Sequence, residues 1–101
     1  MIYLTQIIHV HPNKEKEFLE FESVAIPLME KYGGKMIHRI RPSESSFIDA
    51  SADELPYEIH ILSFPSDAAL ADFLKDETRQ QLTPLKEASV KNTFLFKGHK
   101  M

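Results

Sequence analysis

Four short runs of β-branched and aromatic residues alternate with helix-periodic stretches along this chain, and that order limits the fold more than any single residue does. Residues 2–10 (IYLTQIIHV) have strand character and stop at His11-Pro12. Pro12 and Asn13 open a helix with Glu15 and Glu17 in its first turns, where the helix dipole favours acid. Phe18, Phe21, Ala25, Leu28 and Tyr32 then recur at steps of three and four, which makes one apolar stripe on a helix of about five turns. Pro27 deletes one backbone hydrogen bond and predicts a bend; Gly33-Gly34 ends the helix with a left-handed cap.

Residues 35–42 (KMIHRIRP) form a second strand, ended by Pro42 and a serine-rich stretch. The connection over 43–55 carries Glu44, Asp49, Asp53 and Glu54 and no basic residue, and it is long for a hairpin. It reads as an exposed arm, a lid, or an extension of the second strand through Phe47-Ile48. A third strand over 56–64 lies between Pro56 and Pro65. Ser66 is a good N-cap, with Asp67 behind it, for a helix that turns Ala69, Leu70, Phe73 and Leu74 to one side and runs to about Asp76. A further helical piece, 77–89, is disturbed at Thr83-Pro84. The fourth strand covers 90–97 and Gly98 ends it. With right-handed crossovers, the order βαββαβ predicts an α+β, ferredoxin-like fold in one domain over 1–101. Its antiparallel sheet runs 4-1-3-2 with both helices on one face. The other face is then left uncovered, and an exposed apolar sheet face of that size predicts a homodimer in which two sheets close a barrel.

Composition narrows the function. With 101 residues, 43% of them hydrophobic and 27% charged, the chain has enough apolar side chains for one core. Twelve basic against fifteen acidic residues give a net −3, which argues against nucleic acid or an anionic membrane as partner. Zero cysteines exclude disulfides, zinc ribbons and thiolate catalysis. The first residues are broken by Thr5 and Gln6 and read as a strand rather than a signal peptide, and no apolar run approaches spanning length. A cytoplasmic location is the expectation. No phosphate-binding glycine loop, nucleophile elbow or dinucleotide fingerprint is present, so no cofactor is expected.

Side chains alternate across a strand, so each strand splits by parity. In the first strand the greasier even set goes to the helices, which leaves Tyr3, Thr5, Ile7 and His9 on the open face. In the second, two arginines under helices would be costly, so Arg39 and Arg41 join Ile37 on the open face and His38 goes to the core. If opposed numbers in the second and third strands sum to 99, Arg41 faces Glu58, Arg39 faces His60, Ile37 faces Leu62 and Ile40 faces Ile59, all sensible pairs. Thr93 and Leu95 complete the open face, and Phe94 and Phe96 join the helices. The expected site is therefore apolar ground with His9, His60 and Arg39 as catalytic candidates. Tyr3, Thr5, Ile7, Ile37, Arg41, Glu58 and Leu62 line it as ligand-binding residues. A neutral imidazole can take a proton near pH 7, and an arginine can hold a carboxylate or enolate oxygen. The plain alternative is a set of polar groups hydrogen-bonded across the dimer. His9-x-His11 has a spacing some metal sites use, with His60 or Glu58 as a third ligand, but no complete ligand signature is present and no metal is expected.

The string from Pro12 to Gly34, closing on Leu28-Met29-Glu30-Lys31-Tyr32-Gly33-Gly34-Lys35, resembles the first half of an uncharacterised family of the dimeric α+β-barrel superfamily. Ser63-Phe64-Pro65-Ser66, the alanine-rich helix and the Pro84-Leu85 step resemble its second half. The resemblance implies a homodimer with a cleft between sheet and helices. It places the chain beside cofactor-free monooxygenases, muconolactone isomerase-like enzymes, chlorite dismutase-like haem proteins and proteins with no known reaction. Arg39 matches a basic position after the Gly-Gly turn; where the family usually has an acidic residue before Phe-Pro-Ser, this chain has Ser63. The resulting expectation is a homodimer that binds a small, partly apolar organic ligand and acts as a cofactor-independent monooxygenase or isomerase. The competing expectation is a non-catalytic metabolite-binding or structural dimer.

Overall fold

Among the described residues of the computed structural model, four strands and four helices follow one another: β1 (Ile2–Val10), α1 (Glu15–Glu30), β2 (Lys35–Ile40), β3 (Glu58–Phe64), α2 (Asp67–Leu74), α3 (Glu77–Gln81), α4 (Thr83–Ser89) and β4 (Val90–Gly98). The structure describes residues 1–43, 48 and 54–101. Most of the acidic connection therefore lies outside the described residues, and so does its reading as an arm, a lid or an extension of the second strand. Its Glu54 accepts a hydrogen bond from Lys91 Nζ at 2.9 Å, so this part of the acidic segment does meet a basic residue. The sheet is antiparallel and ordered β2-β3-β1-β4, as the crossover argument predicts. Among the described residues no helix is long and apolar enough to cross a membrane.

Local chemistry accounts for the element ends. Asn13 turns the chain at φ 68°, and α1 starts two residues after it; asparagine tolerates this left-handed conformation better than most residues. The helix then runs through Pro27 to Glu30. Gly33, at φ 77°, donates from its N–H to Glu30 O at 3.0 Å, and Gly34 N–H donates to Met29 O at 3.1 Å. This paired closure needs a left-handed residue at Gly33. Ser66 Oγ accepts from Ala69 N–H at 3.1 Å and caps α2. Asp76 Oδ1 does the same for Arg79 N–H at 3.1 Å at the head of α3. The disturbance expected at Thr83-Pro84 is a break at Leu82, with Pro84 in the first turn of α4, where its missing N–H leaves no partner unsatisfied. Between sheet and helices lies a core of Ile2, Leu4, Leu28, Met29, Leu62, Phe64 and Phe73.

The faces of the sheet differ from the parity assignment in three strands of four. β1 behaves as expected, with Ile2, Leu4 and Ile8 buried under the helices. It pairs with β3 as Ile2↔Phe64, Leu4↔Leu62, Gln6↔His60 and Ile8↔Glu58, so Glu58, His60, Leu62 and Phe64 share the helix side. The sum of 99 holds for Arg39↔His60, Ile40↔Ile59 and His38↔Ile61, and it carries Arg39 and Arg41 to that side as well. A bulge between Met36 and His38 then makes Met36, rather than Ile37, the partner of Leu62. Thr93, opposite Ile8, and Leu95, opposite Gln6, also lie on the helix side.

Two physical reasons explain the reversal. β2 is an edge strand, so Arg39 in it and Arg41 just past its end keep 39% and 48% of their side chains exposed while reaching a buried carboxylate, and the feared burial cost does not arise. The open face is also as greasy as the core face, so greasiness alone cannot tell them apart. That face carries Ile59, Ile61, Ile40, Phe94 and Phe96, with the two phenylalanine rings stacked 6.3 Å apart. His38 lies there too, exposed and opposite Ile61, rather than in the core.

Candidate functional site

The polar centre on the helix side is Glu58, whose side chain is only 1% exposed. Its Oε1 accepts from Arg39 Nε at 2.7 Å and meets His60 Nε2 at 2.7 Å; its Oε2 accepts from Arg39 Nη2 at 3.1 Å and from Arg41 Nη2. A carboxylate offers about four lone-pair sites, and all four are used here. Burial pushes the Glu58 carboxyl up, but the hydrogen bonds from His60, Arg39 and Arg41 outweigh it and hold the group at about 2. Arg41 also lies over the Tyr57 ring, 4.2 Å from its centroid. Glu58 is thus a fixed anion. It can only accept, so His60 Nε2 carries the proton between them, and in the neutral ring the lone pair sits on Nδ1.

His60 stands in the wall of a cleft of about 70 Å³ between sheet and helices. Gln6, Met36 and Leu62 line it from the sheet, Phe21, Glu22 and Met29 from α1, and Arg79 and Lys86 from α3 and α4. Glu22 is 7% exposed and makes no side-chain hydrogen bond among the described residues. Burial pushes its carboxyl above the usual range, against the pull of nearby His60. The cleft thus combines apolar walls, an imidazole oriented by a fixed anion, and a carboxyl group inclined to hold its proton. Sites of general acid–base chemistry are built from such pairs of carboxyls driven apart by their surroundings.

The structure brings together part of the expected set and separates the rest. His60, Leu62, Glu58, Arg39 and Arg41 gather at or behind the cleft. Arg39, expected to hold a ligand oxygen, has Nε and Nη2 on Glu58 instead. His9 is buried on the opposite side of the sheet by strand alternation, with Nδ1 lacking a partner among the described residues, so it does not meet His60. Tyr3, Thr5 and Ile37 line an open-face groove of about 600 Å³ with His38 and Phe96; Ile7 lies on the same face. The third metal ligands considered for His9-x-His11, His60 and Glu58, are likewise across the sheet. Among the described residues no three such side chains come together as a metal site. The residues that sequence reasoning missed are Glu22, Arg79 and Lys86. Glu22 left a signal: it follows Phe21 and stands four after Phe18, a charge inside the buried stripe. Arg79 and Lys86 left none, because 77–89 has no clear apolar stripe.

No known protein family matches the chain, and no curated protein matches its sequence. Solved structures do match its shape. A protein of unknown function from Rhodopseudomonas palustris superposes with a TM-score of 0.85 at 17% identity, over 99% of this chain and 82% of that one. A DABB family protein with a ferredoxin-like fold from Mesorhizobium loti gives 0.68 at 14% identity, over 99% and 96%. This chain has the ferredoxin-like fold. An uncharacterised NIPSNAP domain protein from Burkholderia xenovorans gives 0.71 at 11% identity, over 100% and 95%. These likenesses carry the fold and leave activity to the chain's own residues.

Proposed function

We propose that this protein is a homodimeric ferredoxin-like protein that binds a small, partly apolar organic ligand in the cleft between sheet and helices and moves a proton on it. His60, oriented by Glu58, takes a proton from an acidic C–H, and Glu22 returns one elsewhere on the same molecule. The sum is an isomerisation that balances with no oxidant, which favours that reading over a monooxygenase. The observation that carries it is the 2.7 Å bond from His60 to a buried, fully satisfied Glu58 in the wall of a cleft that also holds a buried Glu22. Arg39 and Arg41 position Glu58. The dimer reading rests on the open face, where Phe94 and Phe96 on one edge strand are 52% and 55% exposed and Ile37 and Ile40 on the other are exposed too, a face that a second copy would cover.

The test is solvent deuterium exchange. Small enolisable acids and ketones that raise the melting temperature are followed by NMR in D2O. The wild type is expected to speed exchange at the acidic carbon about 100-fold or more, and Glu22→Gln and His60→Asn to lose at least about ten-fold of that. A stabilising ligand whose exchange is the same with wild type and both variants contradicts the proton-transfer reading and leaves a binding protein.

A further inference from the structure

Two cations, Arg79 of α3 and Lys86 of α4, stand in the wall of the cleft. Arg79 and Lys86 line the 70 Å³ cleft, and both also line an adjoining groove of about 440 Å³ with Thr83, Glu87, Asn92 and Thr93. They are the residues common to the two spaces and so form the doorway between them. Neither makes an ion pair among the described residues, whereas Arg39 and Arg41 are spent on Glu58. Among the described residues Arg79 Nε is buried with no hydrogen-bond partner, and its guanidinium rests over Phe73, 5.2 Å from the ring centroid. Burial pushes both cations down from their ordinary values, and for Lys86 the neighbouring Arg79 adds to the effect. Two like charges held together, partly out of water, with a donor left unused, are stabilised by an anion brought from outside. Glu22 is the acid that draws on both, and its own burial favours the protonated form.

We propose that Arg79 and Lys86 form an anion-recognition site that selects ligands carrying a carboxylate, held at the doorway while the apolar part enters the cleft beside Met29, Met36 and Leu62. Arginine's planar fork suits a carboxylate, and lysine adds a point charge. This specificity rests on the reading of the cleft as the ligand site, and the two can fail separately.

The experiment measures binding of phenylacetate and phenylacetamide to the full chain by titration, with backbone NMR shifts to locate them. The amide keeps the shape and removes the charge. The wild type is expected to bind phenylacetate at least ten-fold more tightly, with binding weakened by salt and with shifts at His60 and Glu22. Arg79→Gln and Lys86→Gln are each expected to cost about ten-fold for phenylacetate and little for the amide, with Arg79→Lys recovering part of the loss. The comparison of the two ligands on the wild type needs no variant, so it stands even if one fails to fold. Equal binding of both ligands in the cleft, or no binding of phenylacetate, overturns carboxylate selection; in the first case the cleft reading survives. Carboxylate-selective binding that depends on Arg79 but shifts neither His60 nor Glu22 also overturns the proposal as stated, and removes the cleft as the place where the apolar part sits.

Discussion

Glu58 and Glu22 are two carboxyls facing the same layer, driven in opposite directions by what surrounds them. For Glu58 the folded-state value of about 2 lies below the ordinary 4.5, so its contribution to stability is fully present above about pH 4.5 and is lost as pH falls through 2. The displacement corresponds to about 3 kcal/mol. Glu58→Gln keeps the shape and removes the anion from beside two half-exposed arginines. It is expected to cost about 1–3 kcal/mol by urea denaturation at pH 7, with the gap to wild type closing towards pH 2. A gap independent of pH contradicts this. Glu22 works the other way. Its raised folded-state value favours the neutral form, so stability is lost as pH rises above 4.5 through that value, and Glu22→Gln is expected to be at least as stable as wild type at pH 7. At this scale the Arg41–Glu58 pair and the placing of Arg39 opposite His60 were legible, because opposed residues in neighbouring strands must be chemically compatible; the bonds that Arg39 and His60 make to Glu58 were not. The unpaired cations were not, because their meaning comes from what the fold fails to place beside them.

The elements were legible from periodicity and punctuation; which way they face was not. Strand β1 and the order of the sheet follow from the runs and crossovers, and α2 begins at the Ser66 cap that its sequence announces. The failure lay in assigning faces by greasiness when Ile59, Ile61, Phe94 and Phe96 make the open side as apolar as the core. The bulge at β2 added a local change of register that no turn residue signals. The Gly33-Gly34 junction tests how tightly α1 is seated. A Cβ at Gly34 would meet Met29 Cγ and come within 2.8 Å of the Phe64 ring, both in the core. Gly34→Ala is expected to lower stability by about 1–3 kcal/mol in thermal or chemical denaturation. A neutral outcome would show that α1 shifts on the sheet without cost, and the cleft walls would then not be rigid.

At the scale of the whole molecule the sheet has two apolar faces. Helices cover one, and a second copy is expected to cover the other. Light scattering at micromolar concentration is expected to give twice the 11.6 kDa chain mass, and Phe96→Asp to halve it with circular dichroism unchanged. A single-chain mass for the wild type would leave the open face without its twin. The proposed chemistry is assigned to the covered face, because Glu58 and Glu22 are there and their environments pull them apart. Site-resolved 13C-carboxyl NMR titration of Glu22 and Glu58 tests this most directly. The expected result is Glu58 ionising near 2 and Glu22 above the ordinary 4.5; both ionising together at the ordinary value would contradict it.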